Sequence, residues 1–521
     1  MISTADYDMI CSAKRCCVLF NAKCADYELI KTDCHSNYLH IEGIQEKDMS
    51  LKNAFFKTIS YARRNGIKAA WYAAAERLQD QKKEYTFCGV TQEELQCQAT
   101  HYRNWIEEGA SIPKITIVVP CYQTPEKYLV KMIQSVLDQS YGNWELVIAD
   151  ATETDHENAQ DANQIAGIVA KTAANDKRVI YHHLMCNGGI SDNTNSAIEL
   201  ATGDYICLLD HDDLLTPDAI YEMAQTVLVR MKQSKCRKLS ECPLYLVYSD
   251  EDKCDGEEKR FYEPNRKPDF NLDYLLSNNY ICHFSMFRAD VLKSLRFRKQ
   301  YDGAQDYDVI LRTCGAALTQ ANEAAICHIP KVLYHWRCHS GSTASNPASK
   351  RYAYEAGRKA VENFLQEQGI GAYVTELGHV GFYRVSYQPD VFTARTDIGI
   401  IGGRLENRKG TLCGGIYLQD ASALYEGLPK GFSGGAQHRA VLQQDADAVD
   451  LRCMRIRPEL QEIFQQITGL QYQETSDGES NPSIPDSWDE MAIRRCSTAF
   501  CSAVREKGYR ILWDPEITKR I

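Results

Sequence analysis

Short apolar runs alternate with amphipathic stretches between residues 114 and 215. The run at 115–119 is continuous and rich in β-branched residues, which is typical of a strand buried on both faces. Residues 127–139 then show helical spacing. The same order repeats in strands at 145–149, 178–182 and 205–209 and in helices at 158–175 and 187–200. This alternation predicts an α/β fold with a doubly wound, mostly parallel, Rossmann-like sheet.

Three of the predicted strands end in polar residues. P-C-Y-Q (120–123) follows the first, Asp150 follows the second, and Asp210, Asp212 and Asp213 follow the strand at 205–209. In open α/β sheets, ligands bind outside the carboxyl ends of the strands. Three crowded carboxylates repel each other, and a hard divalent cation that also bridges to substrate phosphates would offset this repulsion. The alternative is a solvated acidic turn that caps the helix opening at Thr216-Pro217.

Further acidic and aromatic motifs follow downstream. Y-S-D-E-D-K (248–253) is predicted to be a strand end, and G-A-Q-D-Y-D (303–308) opens a helix that continues to about Thr313. Asp306 is placed to accept a proton from a hydroxyl nucleophile, or simply to cap its helix. L-Y-H-W-R (333–337) is a predicted strand, and the Ser/Gly-rich loop 339–345 after it is suited to fold over a substrate. His335 could be a residue of the functional site, or equally a core histidine whose hydrogen bonds are satisfied.

The N-terminal region is predicted to be a helical extension. Residues 55–83 have helical spacing in two pieces, broken at Asn65-Gly66, with basic and aromatic side chains interleaved. They fit a helix pair touching an anionic membrane surface, or an arm that packs on the next domain with a solvated basic face. Ile112-Pro113 marks the boundary. The cysteines at 11, 16, 17, 24 and 34, followed by His35, contain no C-x-x-C pair and are interpreted as reduced thiols.

Composition narrows the class of protein. The chain has 521 residues and a net charge of −11, so it lacks the basic field that draws nucleic acids to a protein. No apolar run approaches the ~20 residues that span a bilayer, and the N-terminus has no signal-peptide pattern. We therefore expect a cytoplasmic protein; the alternative is a protein that contacts the inner face of the cell membrane peripherally. Neither a G-x-G-x-x-G fingerprint nor a P-loop follows the first strand.

Six collinear motifs resemble those of one known family. They are V-P-C-Y-Q-T-P (119–125), N-G-G-I (187–190), L-L-D-H-D-D-L-L (208–215), Y-S-D-E-D-K (248–253), G-A-Q-D-Y-D-V-I-L-R (303–312) and L-Y-H-W-R (333–337). Together they resemble family-2 glycosyltransferases with the glycosyltransferase A-type fold, in particular bacterial enzymes that build O-antigen, capsule or rhamnan. The resemblance covers about residues 113–370.

The resemblance implies a role for each site residue. The donor-binding set is Pro120, Tyr122, Asp150, Asn187, Gly189, Asp210 and Arg337. Asp210 and Asp212 form the D-x-D pair that holds Mn²⁺ or Mg²⁺, with His335 near the metal, and Asp306 is the general base. The implied partners are a nucleotide-sugar donor and a glycan or lipid-linked acceptor, with inversion at the anomeric carbon. The missing Q-x-x-R-W motif implies a non-processive enzyme, whereas departures at Gln123, Ala151 and Thr194 leave the nucleotide open.

The last part of the chain resembles the second half of another such module. Its motifs are D-I-G-I-I-G-G-R-L (397–405), L-C-G-G-I (412–416), G-L-P-K-G-F (427–432) and R-E-K-G-Y-R-I-L-W-D-P (505–515), and residues 496–499, where a catalytic acid is expected, contain no carboxylate. We interpret it as a degenerate remnant that serves packing, dimerisation to a homodimer or acceptor binding; the alternative is a divergent active domain. The predicted domains are 1–112, 113–375 and 376–521.

Two other functions compete with this interpretation. A nucleotidyltransferase also uses acid-bound metal, but it would show a Gly-rich, basic loop after the first strand, and C-Y-Q-T-P-E-K (121–127) is a poor match. A non-catalytic scaffold of a polysaccharide assembly complex would have no need of the acids at 210, 212 and 306.

Overall fold

A computed structural model of the protein describes residues 59, 61–80, 85–153, 159–339, 351–473, 482 and 484–521. The chain divides into two compact units, residues 1–61 and 62–521. Of the first unit, residues 59 and 61 are described, and both are helical. The cysteine cluster at 11–34 with His35, and the predicted lid from residue 340 onward, lie outside the described residues.

The larger of two main sheets in the second unit, here named the first sheet, has nine strands in the order β3-β2-β1-β4-β8-β6-β9-β5, with β7 on β6. Strands β1, β2, β3, β4, β6 and β9 run in one direction, and β5, β7 and β8 run against them. The predicted mostly parallel α/β sheet is therefore confirmed. The strands are β1 Ile115–Cys121, β2 Trp144–Asp150, β3 Val179–His183, β4 Tyr205–Leu208, β5 Leu214–Leu215, β6 Leu246–Asp255, β7 Phe261–Asn265, β8 Ser285–Arg288 and β9 Ile326–Cys338.

Helices cover both faces of the first sheet. Alternate residues of β1 point into two apolar clusters, with Ile117 on one side and Val118 on the other. Burial on both faces explains the continuous β-branched run in the sequence. The helices of the second unit are α1 Ile67–Asp80, α2 Gln92–Glu107, α3 Glu126–Leu137, α4 Ala159–Asn175, α5 Ile190–Leu200, α6 Ala219–Gln233, α7 Leu272–Ser277, α8 Ala289–Leu295, α9 Gln305–Gln320, α10 Arg351–Glu367, α11 Val391–Ala394, α12 Gln461–Thr468 and α13 Glu490–Glu506.

One predicted strand end is wrong. The acids at 250–252 do not terminate a strand, because β6 continues through them to Asp255. Each of the three carboxylates has a histidine partner, which offsets the free-energy cost of burying a charge inside the sheet. Asp250 pairs with His328, Glu251 with His283 and Asp252 with His335. Helix α9 also extends past the expected end near Thr313, to Gln320.

The C-terminal part builds the second sheet. Its order is β13-β12-β18-β15, with β17 on β12, and β12 and β18 are parallel. The small strands β14 and β16 pair beside it, and β10 and β11 form a separate hairpin. The bounds are β10 Ala372–Glu376, β11 Tyr383–Tyr387, β12 Ile398–Glu406, β13 Leu412–Gly414, β14 Ile416–Tyr417, β15 Gln444–Asp445, β16 Ala448–Val449, β17 Met454–Ile456 and β18 Arg510–Arg520.

The helices that precede the first sheet begin and end where the sequence indicates. Gly66, at φ +83°, separates the helical residues 62–65 from α1, as predicted. Helix α2 begins with a capping box, in which Thr91 accepts from Glu94 N and Glu94 accepts from Thr91 N. Across the described ranges, no helix combines the length and the apolar composition that a bilayer crossing requires.

Candidate functional site

The three acids after β4 lie in a tight turn at the edge of the first sheet. Asp213 N donates to Asp210 O at 3.3 Å, which closes the turn. Asp213 is buried and accepts from Tyr334 Oη at 2.5 Å and from Arg337 N at 2.7 Å. Burial, together with the carboxylates of Asp210 and Asp212, raises the pKa of Asp213 well above its ordinary value. Asp213 thus anchors the turn to β9, and the other two acids are left facing the cleft.

Asp210 is the most exposed of the three acids after β4. Its side chain is 55% exposed, and its Oδ2 lies 3.9 Å from His283 Nε2. Desolvation in the cleft raises the pKa of Asp210, His283 opposes this, and Asp212 and Asp306 add to it. Asp306 is therefore within electrostatic range of Asp210, although 96 residues separate them in the chain.

Asp212 contacts a histidine that the sequence analysis did not single out. Its Oδ2 accepts from His339 Nε2 at 3.0 Å, and its side chain is 20% exposed. The ring of His339 lies 4.6 Å from that of Tyr128 on α3. Arg337 donates from Nε to the carbonyl of Asp212 at 2.6 Å and from Nη1 to Glu258 at 2.8 Å. Arg337 is buried and holds the backbone of the acidic turn, and its Nη2 has no hydrogen-bond partner.

One side of this sheet edge is formed by β1, β2 and β3. Asp150 is fully buried and accepts from Thr152 N and Tyr181 Oη, both at 2.9 Å. Burial raises the pKa of the Cys121 thiol, and the carboxylates of Asp150 and Asp212 raise it further. The predicted acids of β2 and β4 are thus brought to the same edge. Tyr122, next to Pro120, is exposed there.

Asn187 and Gly189 shape the loop before α5. Asn187 Oδ1 accepts from Gly189 N at 3.0 Å and from Asn193 Nδ2 at 2.9 Å. Gly189 has φ +93°, and a Cβ there would meet Asp302 Oδ2 at 2.8 Å. Only glycine fits this close approach without strain. Asp302 itself accepts from Ser191 N in the first turn of α5.

Asp306 lies in the first turn of α9, where the helix dipole favours a carboxylate. Its Oδ2 accepts from Asn279 Nδ2 at 3.0 Å. Burial raises the pKa of the Cys282 thiol, and the charge of the Asp306 carboxylate raises it further. Asp306 is half-buried, and Asn279 holds one of its two carboxylate oxygens.

The structure does not bring His335 to the acidic pair. His335 Nδ1 donates to Asp252 Oδ1 at 2.5 Å, and Tyr85 Oη donates to the other oxygen of Asp252 at 2.8 Å. The rings of Phe87 and Phe261 lie 4.6 and 4.5 Å from that of His335. Because successive residues of a strand face opposite sides, Tyr334 turns toward Asp213 while His335 turns away.

Three residues that the sequence analysis missed complete the site, His283, His339 and Asn279, together with Glu251 of the Y-S-D-E-D-K motif. Glu251 accepts from the backbone N and from Nδ1 of His283, at 3.0 and 3.1 Å. Burial alone would lower the pKa of His283, but Cys282 and Glu251 raise it well above its ordinary value. His339 stands four residues after His335, so its spacing was visible, whereas N-N-Y-I-C-H (278–283) carries no separate signal.

The resemblance implies a divalent metal ion at Asp210 and Asp212, and the residues around them can be compared with the ligands that such an ion requires. Among the residues the structure describes, no three His, Cys, Asp or Glu side chains converge to form a metal site by themselves. Mg²⁺ is usually held by one or two carboxylates, with water and substrate phosphates completing its coordination. Two carboxylates, one of them largely exposed, therefore fit a cation that the donor diphosphate helps to hold.

Comparisons with known proteins agree on one family. The sequence profile of Glycosyl transferase family 2 matches residues 116–296. An uncharacterized protein, y4gI, of Sinorhizobium fredii is 39% identical over 52% of this chain and 27% of its own length. The O-antigen biosynthesis protein RfbC of Myxococcus xanthus is 32% identical over 53% of this chain and 20% of its own length. The chain thus spans about a quarter of the length of these curated relatives.

Among solved structures, S. aureus TarS 1–349 in complex with UDP-GlcNAc is 18% identical, covers 48% of this chain and 66% of its own, and has a TM-score of 0.34. The profile match includes β2, which ends at Asp150, and the turn after β4 that contains Asp210 and Asp212. Residues 116–296 of the chain are therefore similar to a glycosyl transferase family 2 domain.

Proposed function

We propose that this protein transfers a sugar from a nucleotide-diphosphate donor to a glycan or lipid-linked glycan acceptor during synthesis of a cell-surface polysaccharide. The observation that carries the proposal is the meeting of four acids from distant parts of the chain at one sheet edge. Asp150 and Asp212 both act on the pKa of Cys121, and Asp306 acts on that of Asp210. Inversion and a non-processive mode remain parts of the proposal that rest on the family resemblance.

Asp210 and Asp212 would hold Mn²⁺ or Mg²⁺ together with the donor diphosphate. When bound, the cation supplies charge stabilisation for the departing nucleoside diphosphate. Arg337 keeps Asp212 in position through the Asp212 carbonyl, and its unpartnered Nη2 offers a further N–H to this region. Pro120, Tyr122, Asp150, Asn187 and Gly189 would shape the nucleotide pocket. In this arrangement Asp150 acts by fixing Thr152 and Tyr181, because both of its oxygens are already engaged.

Asp306 would act as the general base. The acceptor hydroxyl gives its proton to the Asp306 carboxylate, the hydroxyl oxygen bonds to the anomeric carbon, and the bond from that carbon to the diphosphate breaks. Asn279 holds one carboxylate oxygen of Asp306, which orients the other toward the cleft. A single base is sufficient for one in-line displacement, which gives an inverted product.

The histidine assigned to the metal is revised within this proposal. His339 hydrogen-bonds to Asp212, whereas His335 is occupied by Asp252. We therefore propose His339 as the imidazole closest to the cation. His335 instead supports the sheet from its other face.

The test incubates the full chain with Mn²⁺, individual nucleotide sugars and a candidate acceptor, and measures release of nucleoside diphosphate. We expect release that stops when a chelator removes the metal and resumes when Mn²⁺ is restored. Release of pyrophosphate from a nucleoside triphosphate would instead indicate a nucleotidyltransferase. No release from any donor, with bound sugar nucleotide absent in calorimetry, would indicate a scaffold.

A matched pair of variants tests the histidine assignment. His339→Ala should raise the Mn²⁺ concentration for half-maximal release by about tenfold or more, since losing a ligand or its orienting partner typically costs that much affinity. His335→Ala should leave this concentration unchanged, although it removes a packed ring and lowers stability. The opposite pattern would restore His335 as the metal-binding histidine.

A further inference from the structure

Helix α1 is attached to the C-terminal part of the molecule by a buried carboxylate. Glu76 accepts hydrogen bonds from the backbone N of Ser433, Gly434 and Gly435 at 2.8–2.9 Å and from Ser433 Oγ at 2.8 Å. Tyr72, one turn earlier, packs so closely on Gly431 that a Cβ there would lie 2.3 Å from the ring. These contacts fix which face of α1 points inward.

The opposite face of α1 is apolar and exposed. Ile67, Trp71 and Leu78 are 75%, 56% and 49% exposed. At about 100° per residue, Ile67 lies half a turn from Glu76, and Trp71 and Leu78 lie within about 40° of Ile67. No other stretch of twelve residues in the described part of the chain holds three large exposed apolar side chains. The three form a stripe along the outer side of the helix.

Charge is segregated around this stripe. The two acids of α1, Glu76 and Asp80, are four residues apart and share the inner face. The exposed basic residues Lys68 and Arg77 lie about 100° and about 80° from Ile67 around the helix, one on each side of the stripe, and Arg64 is exposed in the helical turn before Gly66. An apolar centre containing tryptophan, with long basic side chains at its edges, is typical of helices that lie in a membrane interface.

We propose that the outer face of α1 docks on a membrane surface that contains anionic lipids. Trp71 and Leu78 enter the boundary between headgroups and acyl chains, and Arg64, Lys68 and Arg77 contact lipid phosphates. A second copy of the chain fits this surface poorly, because two-fold packing of the stripe on itself would bring basic edges together. The contact does not depend on the transferase chemistry.

The test is co-sedimentation of the full chain with vesicles of phosphatidylcholine alone and of phosphatidylcholine mixed with phosphatidylglycerol. We expect binding to the mixed vesicles, weakened by salt, and little binding to the neutral ones. A variant with Trp71→Ser and Leu78→Ser should bind about tenfold or more weakly. A variant with Arg64→Gln, Lys68→Gln and Arg77→Gln should lose about fivefold for each charge removed.

Matched controls are Val229→Ser on α6 and Lys171→Gln on α4, which change exposed residues away from α1. Both should bind like the unaltered protein, and thermal unfolding should show that every variant is folded. Absence of sedimentation with either vesicle, or equal binding to neutral vesicles, would overturn the proposal. So would a dimer, seen by light scattering, that the Trp71 and Leu78 changes dissociate without altering vesicle binding.

Discussion

The two sheets of this protein share a pattern of strand pairing around one strand, β6 or β12, and they differ in the side chains at their edges. In the first sheet, β6 pairs in parallel with β9 and antiparallel with β7 and β8; in the second, β12 pairs in parallel with β18 and antiparallel with β13 and β17. A long helix precedes the last strand in both, α9 before β9 and α13 before β18. The second sheet therefore repeats the β6–β9 half of the first.

The difference lies in the space beside the strands. In the first sheet, acids of β6 face histidines, and Asp306 stands in the first turn of α9 at an open cleft. In the second, a Cβ on Gly402 would lie 2.4 Å from Val449 Cβ, and a Cβ on Gly403 would lie 2.2 Å from the carbonyl oxygen of Ile517 and 2.6 Å from its Cβ. Atoms of Val449 and Ile517 thus fill the space beside β12, whereas the acids of β6 have polar partners.

Both long helices begin with a carboxylate, but that of α13 is engaged: Glu490 accepts from Arg452 Nη1 at 2.9 Å and from Arg452 Nη2 at 2.7 Å. Helix α13 begins at Glu490, so the stretch 496–499 lies inside it, and Ser497 is fully buried. The same pattern of strand pairing is therefore not sufficient for a functional site. The sheet edge must also carry acids that remain accessible. We propose on this basis that the second sheet has a structural role, in keeping with the degenerate remnant predicted from sequence.

The largest difference between the sheets should appear when acids at their edges are removed. Asp212→Ala should lower turnover by about 10³-fold or more, because metal-assisted stabilisation of a leaving group is worth several kcal/mol. Donor binding that requires metal should be lost in calorimetry. Asp447→Ala in the second sheet region, where Asp447 pairs with Arg505 near the surface, should leave turnover unchanged. Equal losses in both variants would contradict the comparison.

The long helices that precede the last strand of each sheet provide the second contrast. Asp306→Asn should keep metal-dependent donor binding but lower turnover by about 10²–10⁴-fold, since the acceptor proton loses its base. Ser497→Ala removes the acceptor for Leu451 N and should cost about 1–3 kcal/mol of stability. Its turnover, measured on folded protein, should not change. Full turnover by Asp306→Asn would remove Asp306 from the mechanism.

A buried ion pair connects the region of the second sheet to helix α7. Arg395 Nη1 donates to Asp273 Oδ1 at 2.9 Å, and both side chains are 2% exposed. Arg395→Ala leaves a buried carboxylate unpaired and should lower the free energy of unfolding by about 3–5 kcal/mol. Urea unfolding measures this directly. A loss below about 1 kcal/mol would show that the two parts do not stabilise each other through this pair.

The smallest effect concerns the first sheet alone and depends on pH. Burial opposes ionisation of Glu145, but hydrogen bonds from Lys114, Thr116 and Thr202 outweigh it and lower the Glu145 pKa from 4.5 to about 2. A depressed carboxyl pKa stabilises the fold above pH 4.5, and this stabilisation fades as the pH falls toward 2.

Glu145→Gln should therefore cost about 3 kcal/mol at neutral pH and progressively less below pH 4.5. Unfolding curves of both proteins across this range give the measurement. A stability difference that stays constant with pH would show that Glu145 titrates normally in the folded protein.

The sequence alone determined the order of strands and helices from β1 to β4, because periodicity and turn residues are local signals. It also located the acidic turn after β4, since a buried run followed by carboxylates marks a strand end. It misplaced the acids of β6, whose partners His283, His328 and His335 come from other segments. A charged side chain can be buried inside a strand only when it has such a partner. Because the partners come from other segments, the local sequence gives no sign of them.

Only the tertiary structure decided which imidazole near the end of β9 approaches the acidic pair. His335 and His339 both lie near the end of β9, but pairing between β6 and β9 places His335 opposite Asp252 and leaves His339 beside Asp212. It also decided that Asp150 is enclosed by Thr152 and Tyr181, and that Glu76 turns the apolar face of α1 outward. These outcomes depend on contacts between residues far apart in the chain, which a single sequence does not encode in any local pattern.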